Sequence, residues 1–185
     1  MSDGRATSSS SAALLVVDVQ QALFEHQIPV YRGDELLDTI EGLVDRAHES
    51  GALVVFVQHC NKAMAHGSSG WSLHSRLKPT DTDLIVEKTH GDAFEGTNLD
   101  GALRSRSVST VFVTGLVTHG CVRATCVGGQ TREYDVVLVA DGHSSYNRKA
   151  AELIEEWNAT LSSQLAAVLP AEQVDFFCHG EPALS

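Results

Sequence analysis

The chain reads Ala13-Leu14-Leu15-Val16-Val17-Asp18 near its beginning, an unbroken apolar run that ends at an acid. A short apolar run without alternation predicts a strand covered on both faces, as in a parallel sheet between helices. Further apolar runs alternate with helical patterns along the chain, and there is no internal repeat. This alternation predicts an α/β domain of three layers, with helices on both sides of a parallel sheet.

The same patterns predict where each element begins and ends. Strands are expected at Ala13–Val17, Leu53–Val57, Leu84–Val86, Thr110–Thr114, Val136–Ala140 and Val174–Phe177. Helices are expected at Glu35–Ser50, Asn98–Ser105, His119–Glu133 and Asn147–Val168. Residues 1–11, with serine at each of positions 8–11, predict a disordered leader, so the expected domain is residues 12–185.

Composition argues against several functional classes. The formal net charge of -11 is unsuited to a nucleic-acid surface, which needs clustered Lys and Arg. No apolar run is long enough to span a bilayer and no signal peptide is recognised, so a cytoplasmic location without membrane contact is expected. The 4 cysteines form no C-x-x-C pair, which predicts free thiols rather than a zinc knuckle. No metal or other cofactor is therefore expected.

Three polar residues follow three different predicted strands. Asp18 ends the first, Lys88 ends the third, and Cys121 lies in the turn after the fourth. Because the carboxyl ends of parallel strands share one edge of a sheet, we expect these side chains to meet in one cleft. Taken singly, each has an ordinary explanation as a turn acid, a solvated lysine or a buried thiol. Only their joint placement favours a catalytic site.

An acid, a cation and a thiol together support nucleophilic catalysis. A helix N-terminus and the nearby Lys88 are expected to favour the thiolate of Cys121. Asp18 is then expected to accept the thiol proton and to return it to a leaving amine. Backbone N–H groups of the glycine-flanked turn 115–120 are expected to stabilise the oxyanion of a tetrahedral intermediate.

Three motifs resemble those of the isochorismatase-like hydrolases. The opening strand of that family is similar to Leu15-Val16-Val17-Asp18-Val19-Gln20. Its lysine motif, K-x-x-x-x-A-F-x-x-T-x-L, is similar to the stretch that runs from Lys88 to Leu99. Its nucleophile turn, G-x-x-T-x-x-C-V-R-A-T, is similar to the stretch from Gly115 to Thr125. The resemblance spreads over nearly the whole predicted domain.

The resemblance implies a six-stranded parallel sheet in the order 3-2-1-4-5-6 and a catalytic triad of Asp18, Lys88 and Cys121. It also implies a cis peptide bond between Leu116 and Val117, with the N–H groups of Val117 and Cys121 directed at the substrate oxygen. Members with this cysteine are typically amidases or related C–N hydrolases. The implied function is hydrolysis of a small amide-type bond through a thioester on Cys121.

Two alternatives remain open at this point. One is an ether-cleaving enzyme of the isochorismatase type, although isochorismatase proper lacks the cysteine. The other is a non-catalytic binding or thiol-sensing protein on the same scaffold. The nicotinamidase branch carries an Asp-x-His pair that helps to bind a metal, and this chain lacks the aspartate beside His59. The spacing of His59, His66 and His74 matches no regular zinc site.

The substrate pocket and the assembly are predicted from fewer signals. The candidate oxyanion and substrate-binding residues lie in or near the three motifs; they are Leu116, Val117, Thr118, Phe24, Trp71 and Phe94. The expected partner is a small-molecule substrate. A homodimer or homotetramer is also expected, because the resemblance implies one and because residues 60–83 and 157–168 carry apolar side chains.

Overall fold

A computed structural model describes residues 11–177 of the chain, and all described strands form a single sheet. The strands are β1 (Ser11–Val17), β2 (Leu53–His59), β3 (Leu84–Lys88), β4 (Val108–Leu116), β5 (Asp135–Ser144) and β6 (Ala167–Leu169). Their order is β3-β2-β1-β4-β5-β6, and every neighbouring pair is parallel. The predicted architecture and strand order are confirmed.

Five α-helices accompany the sheet in the described part of the chain. They are α1 (Gln21–Phe24), α2 (Gly33–Ser50), α3 (Leu99–Arg104), α4 (Arg123–Thr131) and α5 (Ala150–Gln164). Because successive side chains of a strand face opposite sides, Leu14 and Val16 pack toward α2, whereas Leu15 and Val17 pack toward α3, α4 and α5. The central strand β1 is thus buried on both faces, as its uninterrupted apolar sequence predicts.

The last strand differs from the prediction. Val174–Phe177 is not a strand, and the sixth strand is Ala167–Leu169, which pairs with β5. The backbone carbonyl of Val174 instead accepts a hydrogen bond of 3.2 Å from the Arg46 guanidinium on α2. Val174 and Phe176 bury their side chains against the α2 layer, which explains the strand-like apolar pattern. The predicted helix Asn147–Val168 is also shorter than expected, because α5 covers only Ala150–Gln164 and the last two residues of the prediction belong to β6.

Some expectations concern residues outside the described range. Of the predicted leader, residues 1–10 lie outside it, whereas Ser11 begins β1. Cys178 also lies outside the described residues. Within residues 11–177, no helix is both long enough and apolar enough to cross a membrane.

Candidate active site

A buried ion pair joins the ends of β1 and β3. Asp18 follows β1 directly and adopts a left-handed backbone conformation with φ of 53°. Lys88 is the last residue of β3, and its ammonium nitrogen lies 2.8 Å from Oδ2 of Asp18. The side chains are 4% and 0% exposed for Asp18 and Lys88, respectively, so water does not screen their attraction. Charged pairs this deeply buried are uncommon and point to a functional site.

Cys121 lies beside this pair, in the turn Thr118–Val122 between β4 and α4. The sulfur, a carboxylate oxygen of Asp18 and a ring nitrogen of His59 all lie within 4.8 Å of one another. The structure thus brings the three candidate catalytic residues of the sequence analysis together at one edge of the sheet. Their spacing permits proton transfer between thiol and carboxylate after only small side-chain movements.

Gly115 makes this close approach possible. Its φ of 111° is accessible to glycine but not to residues with a side chain, and a Cβ atom there would overlap the carbonyl oxygen of Val17. The β4–β5 register shifts between Val113 and Gly115, which marks a bulge in β4. The glycine therefore lets β4 pass close to the end of β1, immediately before Asp18 and the Cys121 turn.

The protonation state of Cys121 differs from the expectation. Burial, together with the negative charge of Asp18, raises the pKa of the Cys121 thiol to about 12, and Lys88 only partly opposes this. Burial also raises the pKa of Asp18, although the Lys88 charge and hydrogen bond act against the shift. Burial and the Asp18 charge thus favour a neutral Cys121 thiol, rather than the thiolate predicted from a cation and a helix N-terminus, whereas the 2.8 Å contact with Lys88 favours the ionised form of Asp18.

Lys88 has two further partners that sequence reasoning did not identify. Its ammonium nitrogen lies 3.0 Å from Nδ1 of His59 and 3.1 Å from the carbonyl oxygen of His90. The pKa of His59 is lowered, mainly by burial and next by the Lys88 charge, so the ring is neutral at neutral pH. His59 pairs with Lys88 in the β2–β3 register, which is the signal that would have located it.

Gln20 is a second residue whose role was not foreseen. It is 0% exposed, and its side-chain amide donates hydrogen bonds to the carbonyl oxygens of His59 (3.0 Å) and Trp71 (2.7 Å). Its Oε1 accepts the backbone N–H of His59 at 2.8 Å. Gln20 thereby fastens the end of β2 and the long connection 60–83 to the end of β1. A buried amide with three partners is a structural anchor for the site.

The candidate oxyanion residues occupy the turn after β4. The peptide bond between Leu116 and Val117 is cis. Leu116 is fully buried in the core, whereas Val117 is only partly buried. The hydroxyl of the buried Thr118 donates to the carbonyl oxygen of Ser144 at 3.1 Å and lies 2.9 Å from Nδ1 of His143. Thr118 thus ties the Cys121 turn to β5 and has a structural role.

The three candidate aromatic residues lie in different surroundings. Phe24 packs against the ring of His74 in a tilted arrangement with centroids 4.5 Å apart, and the backbone N–H of His74 donates to the carbonyl oxygen of Val19 just after β1. Trp71 has a buried indole Nε1 without a hydrogen-bond partner among the described residues. Phe94 is 3% exposed and packs in the core against Tyr134, so its assignment to the substrate pocket is wrong.

A metal ion at this site is disfavoured by the lysine. Asp18, His59 and Cys121 are the described residues whose ligand atoms lie close enough together to hold one. However, the Lys88 ammonium already contacts Asp18 and His59, and its charge would repel a divalent cation. The alternative set of His59, His66 and His74 forms no such cluster among the described residues; His66 pairs with Glu87 and His74 packs against Phe24.

Two surface clefts lie elsewhere on the molecule. One cleft, of about 270 Å³, lies between α2, α5 and the end of β5. The other, of about 670 Å³, lies at the amino ends of β1, β2 and β4. Neither is lined by Asp18, Lys88 or Cys121. The candidate site is therefore identified by the chemistry of its side chains and not by cleft volume.

Comparison with known proteins agrees with the fold and with membership of a hydrolase family. The model of the isochorismatase domain matches residues 12–173. A streptothricin hydrolase of Streptomyces noursei is 34% identical over 171 residues, which are 90% of this chain and 68% of that protein. A putative isochorismatase from Burkholderia xenovorans superposes with a TM-score of 0.81 at 30% identity, covering 89% of this chain and 86% of that one. A nicotinamidase from Staphylococcus aureus gives a TM-score of 0.74 at 25% identity, covering 85% of this chain and 96% of that one.

Proposed function

The chain belongs to the isochorismatase family of hydrolases, and from this premise we propose that it hydrolyses a small amide or related C–N bond through a thioester on Cys121. The observation that carries the proposal is the buried Lys88–Asp18 pair beside the Cys121 thiol. The names of the relatives support the reaction class, since one is a nicotinamidase and another a hydrolase of streptothricin. An ether hydrolase has no comparable need for the thiol.

The first half of the proposed reaction is acyl transfer to sulfur. As the sulfur attacks the carbonyl carbon, Asp18 takes the thiol proton, because the thiol with a pKa near 12 is not ionised beforehand. The N–H groups of Val117 and Cys121 are the proposed donors to the oxyanion, each contributing about 3 kcal/mol. Asp18 then protonates the nitrogen, the C–N bond breaks, and amine or ammonia leaves a thioester on Cys121.

The second half is hydrolysis of the thioester. Asp18, again a carboxylate, takes a proton from a water molecule that attacks the thioester carbon. The C–S bond breaks, the carboxylic acid product leaves, and the sulfur regains the proton from Asp18. Lys88 exchanges no proton in this sequence, and its fixed positive charge stabilises the carboxylate in both halves.

We also propose that Phe24 and Trp71 border the substrate and that the protein forms a homodimer or homotetramer. The indole N–H of Trp71, which has no partner within residues 11–177, supports a polar contact with substrate. Assembly stays a prediction that rests on the family resemblance. The apolar residues first cited for it pack within their own chain, because Met64 is 6% exposed and Leu73 packs against the core.

The reaction class is testable with a panel of small primary amides, ureido acids and N-carbamoyl compounds. We expect ammonia release from at least one member of the panel, with the matching carboxylic acid as second product. Enzyme alkylated at Cys121 beforehand is the control and should release none. Absence of ammonia from every compound, or equal release by the alkylated enzyme, would contradict the proposal.

The rate should depend on pH through Asp18. Because the base must be ionised and burial raises its pKa, kcat/KM should rise with pH through a midpoint above the ordinary value of 3.8. The pH profile with the fastest amide of the panel measures this midpoint. As a control for unfolding, enzyme held at each pH should regain full activity at pH 7. A midpoint at or below 3.8 would contradict the assignment of Asp18 as the base.

A further inference from the structure

The partners of Lys88 account for every proton that its ammonium can donate. An ammonium has three N–H bonds and accepts none. The three acceptors around Nζ are Asp18 Oδ2 at 2.8 Å, His59 Nδ1 at 3.0 Å and the carbonyl oxygen of His90 at 3.1 Å. Since the Lys88 side chain is 0% exposed, water does not compete for these bonds. The direction of each N–H bond is therefore set by the protein.

The contact with Lys88 also determines the state of the His59 ring. Because the ammonium can only donate, the nitrogen that faces it must offer a lone pair, and the ring proton belongs on Nε2. An imidazolium would place two positive charges in direct contact without water between them. His59 is therefore a neutral acceptor in the resting site.

The second carboxylate oxygen of Asp18 shows what this arrangement achieves. Oδ1 is buried and has no hydrogen-bond partner among the described residues, although it belongs to the same carboxylate that binds Lys88. A buried acceptor that is left unpaired is costly unless it has a function. If one N–H of Lys88 lost its present acceptor, Oδ1 would be an unoccupied acceptor on the carboxylate that Lys88 already contacts.

We propose that His59 is a positioning residue: its Nδ1 occupies the third N–H of Lys88 and so keeps Oδ1 of Asp18 free to receive the Cys121 proton. This inference rests on the proposed function, because it assigns Asp18 as the base. Without an acceptor at residue 59, the ammonium would turn one N–H to Oδ1, and the carboxylate would become a weaker base. His59 thus acts on the reaction through Lys88 and Asp18 and does not touch the reacting atoms.

Two variants of nearly equal shape separate the acceptor from the ring. In His59→Asn the side-chain oxygen branches from Cγ as Nδ1 does and can accept from Lys88, whereas His59→Leu has the same branching without an acceptor. Each variant is assayed for ammonia release and for the rate at which iodoacetamide alkylates Cys121 at pH 7, followed by mass spectrometry. The alkylation assay needs no substrate. It compares how readily Asp18 removes the Cys121 proton in each variant.

We expect His59→Leu to lower both rates by about tenfold or more. The effect can be smaller than the loss of a general base, which costs at least about a hundredfold, because Asp18 is weakened as a base and not removed. His59→Asn should stay within about twofold of the natural protein in both assays, because its side-chain oxygen can still accept from Lys88. A twofold change is well below the tenfold change that corresponds to one pKa unit. His48→Leu is the matched control, because His48 pairs with Asp83 near the beginning of β2, whereas His59 ends that strand, and its replacement should change neither rate. Urea unfolding of each variant confirms that it is folded.

Three results would overturn the inference: unchanged rates in His59→Leu, equal losses in His59→Leu and His59→Asn, or an equal loss in His48→Leu. The inference and the proposed function fail separately. If the natural protein releases no ammonia but the alkylation rates follow the expected order, the reaction class is wrong and the role of His59 stands. If ammonia is released and the two variants alkylate alike, the reaction class stands and the role proposed for His59 is wrong.

Discussion

Replacement of Cys121 by alanine is expected to lower kcat by about a thousandfold or more, because removing a covalent nucleophile leaves only binding and oxyanion stabilisation. The fold should be retained, since the side chain is only half-buried and the turn Thr118–Val122 is held by the Thr118 contacts with β5. Single-turnover mass spectrometry of the natural protein should show the acyl group on the peptide that contains Cys121.

The matched control is Cys126→Ala, five positions further along the chain. Cys126 is 0% exposed and packs in the core on α4, and burial alone raises its pKa to about 12. Its loss should lower the free energy of unfolding by about 1 kcal/mol, in the range of an ordinary core truncation, without changing kcat. A Cys121→Ala variant that retains turnover would exclude a thioester mechanism, as would equal kcat losses in both variants.

The parts of the fold that rest on long apolar runs were predictable from sequence. β1, β2, β4 and β5 are buried on both faces, and such strands leave an uninterrupted apolar signature. β6 has no such signature, because Ala167–Leu169 is a three-residue edge strand whose side chains stay partly exposed. The alternating burial of Val174 and Phe176 imitates a strand, although these residues pack as irregular chain.

The candidate site was predictable in its members but not in its protonation. The positions of Asp18, Lys88 and Cys121 follow from strand ends, because parallel strands end at a common edge. The pKa of the thiol depends on its burial and on its distance from Asp18, which chain spacing does not determine. The role of His59 depends on the β2–β3 register, which places it beside Lys88. Sequence reasoning considered this histidine only as a metal ligand.

Replacement of Gly115 by alanine should have the largest effect on stability. A Cβ atom at this position would overlap the carbonyl oxygen of Val17, and the φ of 111° is not accessible to alanine. Relief of the overlap requires β4 to move away from β1, which breaks pairing in the centre of the sheet. We expect a loss of more than about 4 kcal/mol in the free energy of unfolding, measured by urea titration, or failure to fold.

Gly51→Ala separates the steric overlap from the cost of a positive φ. Gly51 ends α2 with φ of 74°, and a Cβ atom there would meet nothing within 4 Å. Its replacement should therefore cost only about 1 kcal/mol, the penalty for placing alanine in the left-handed region. Gly115 lies where β4 passes close to the end of β1, next to Asp18. Any Gly115→Ala protein that does fold should therefore also lose turnover, whereas Gly51→Ala should keep it. Similar stability losses in the two variants would show that backbone conformation, and not the contact with Val17, is what makes Gly115 necessary.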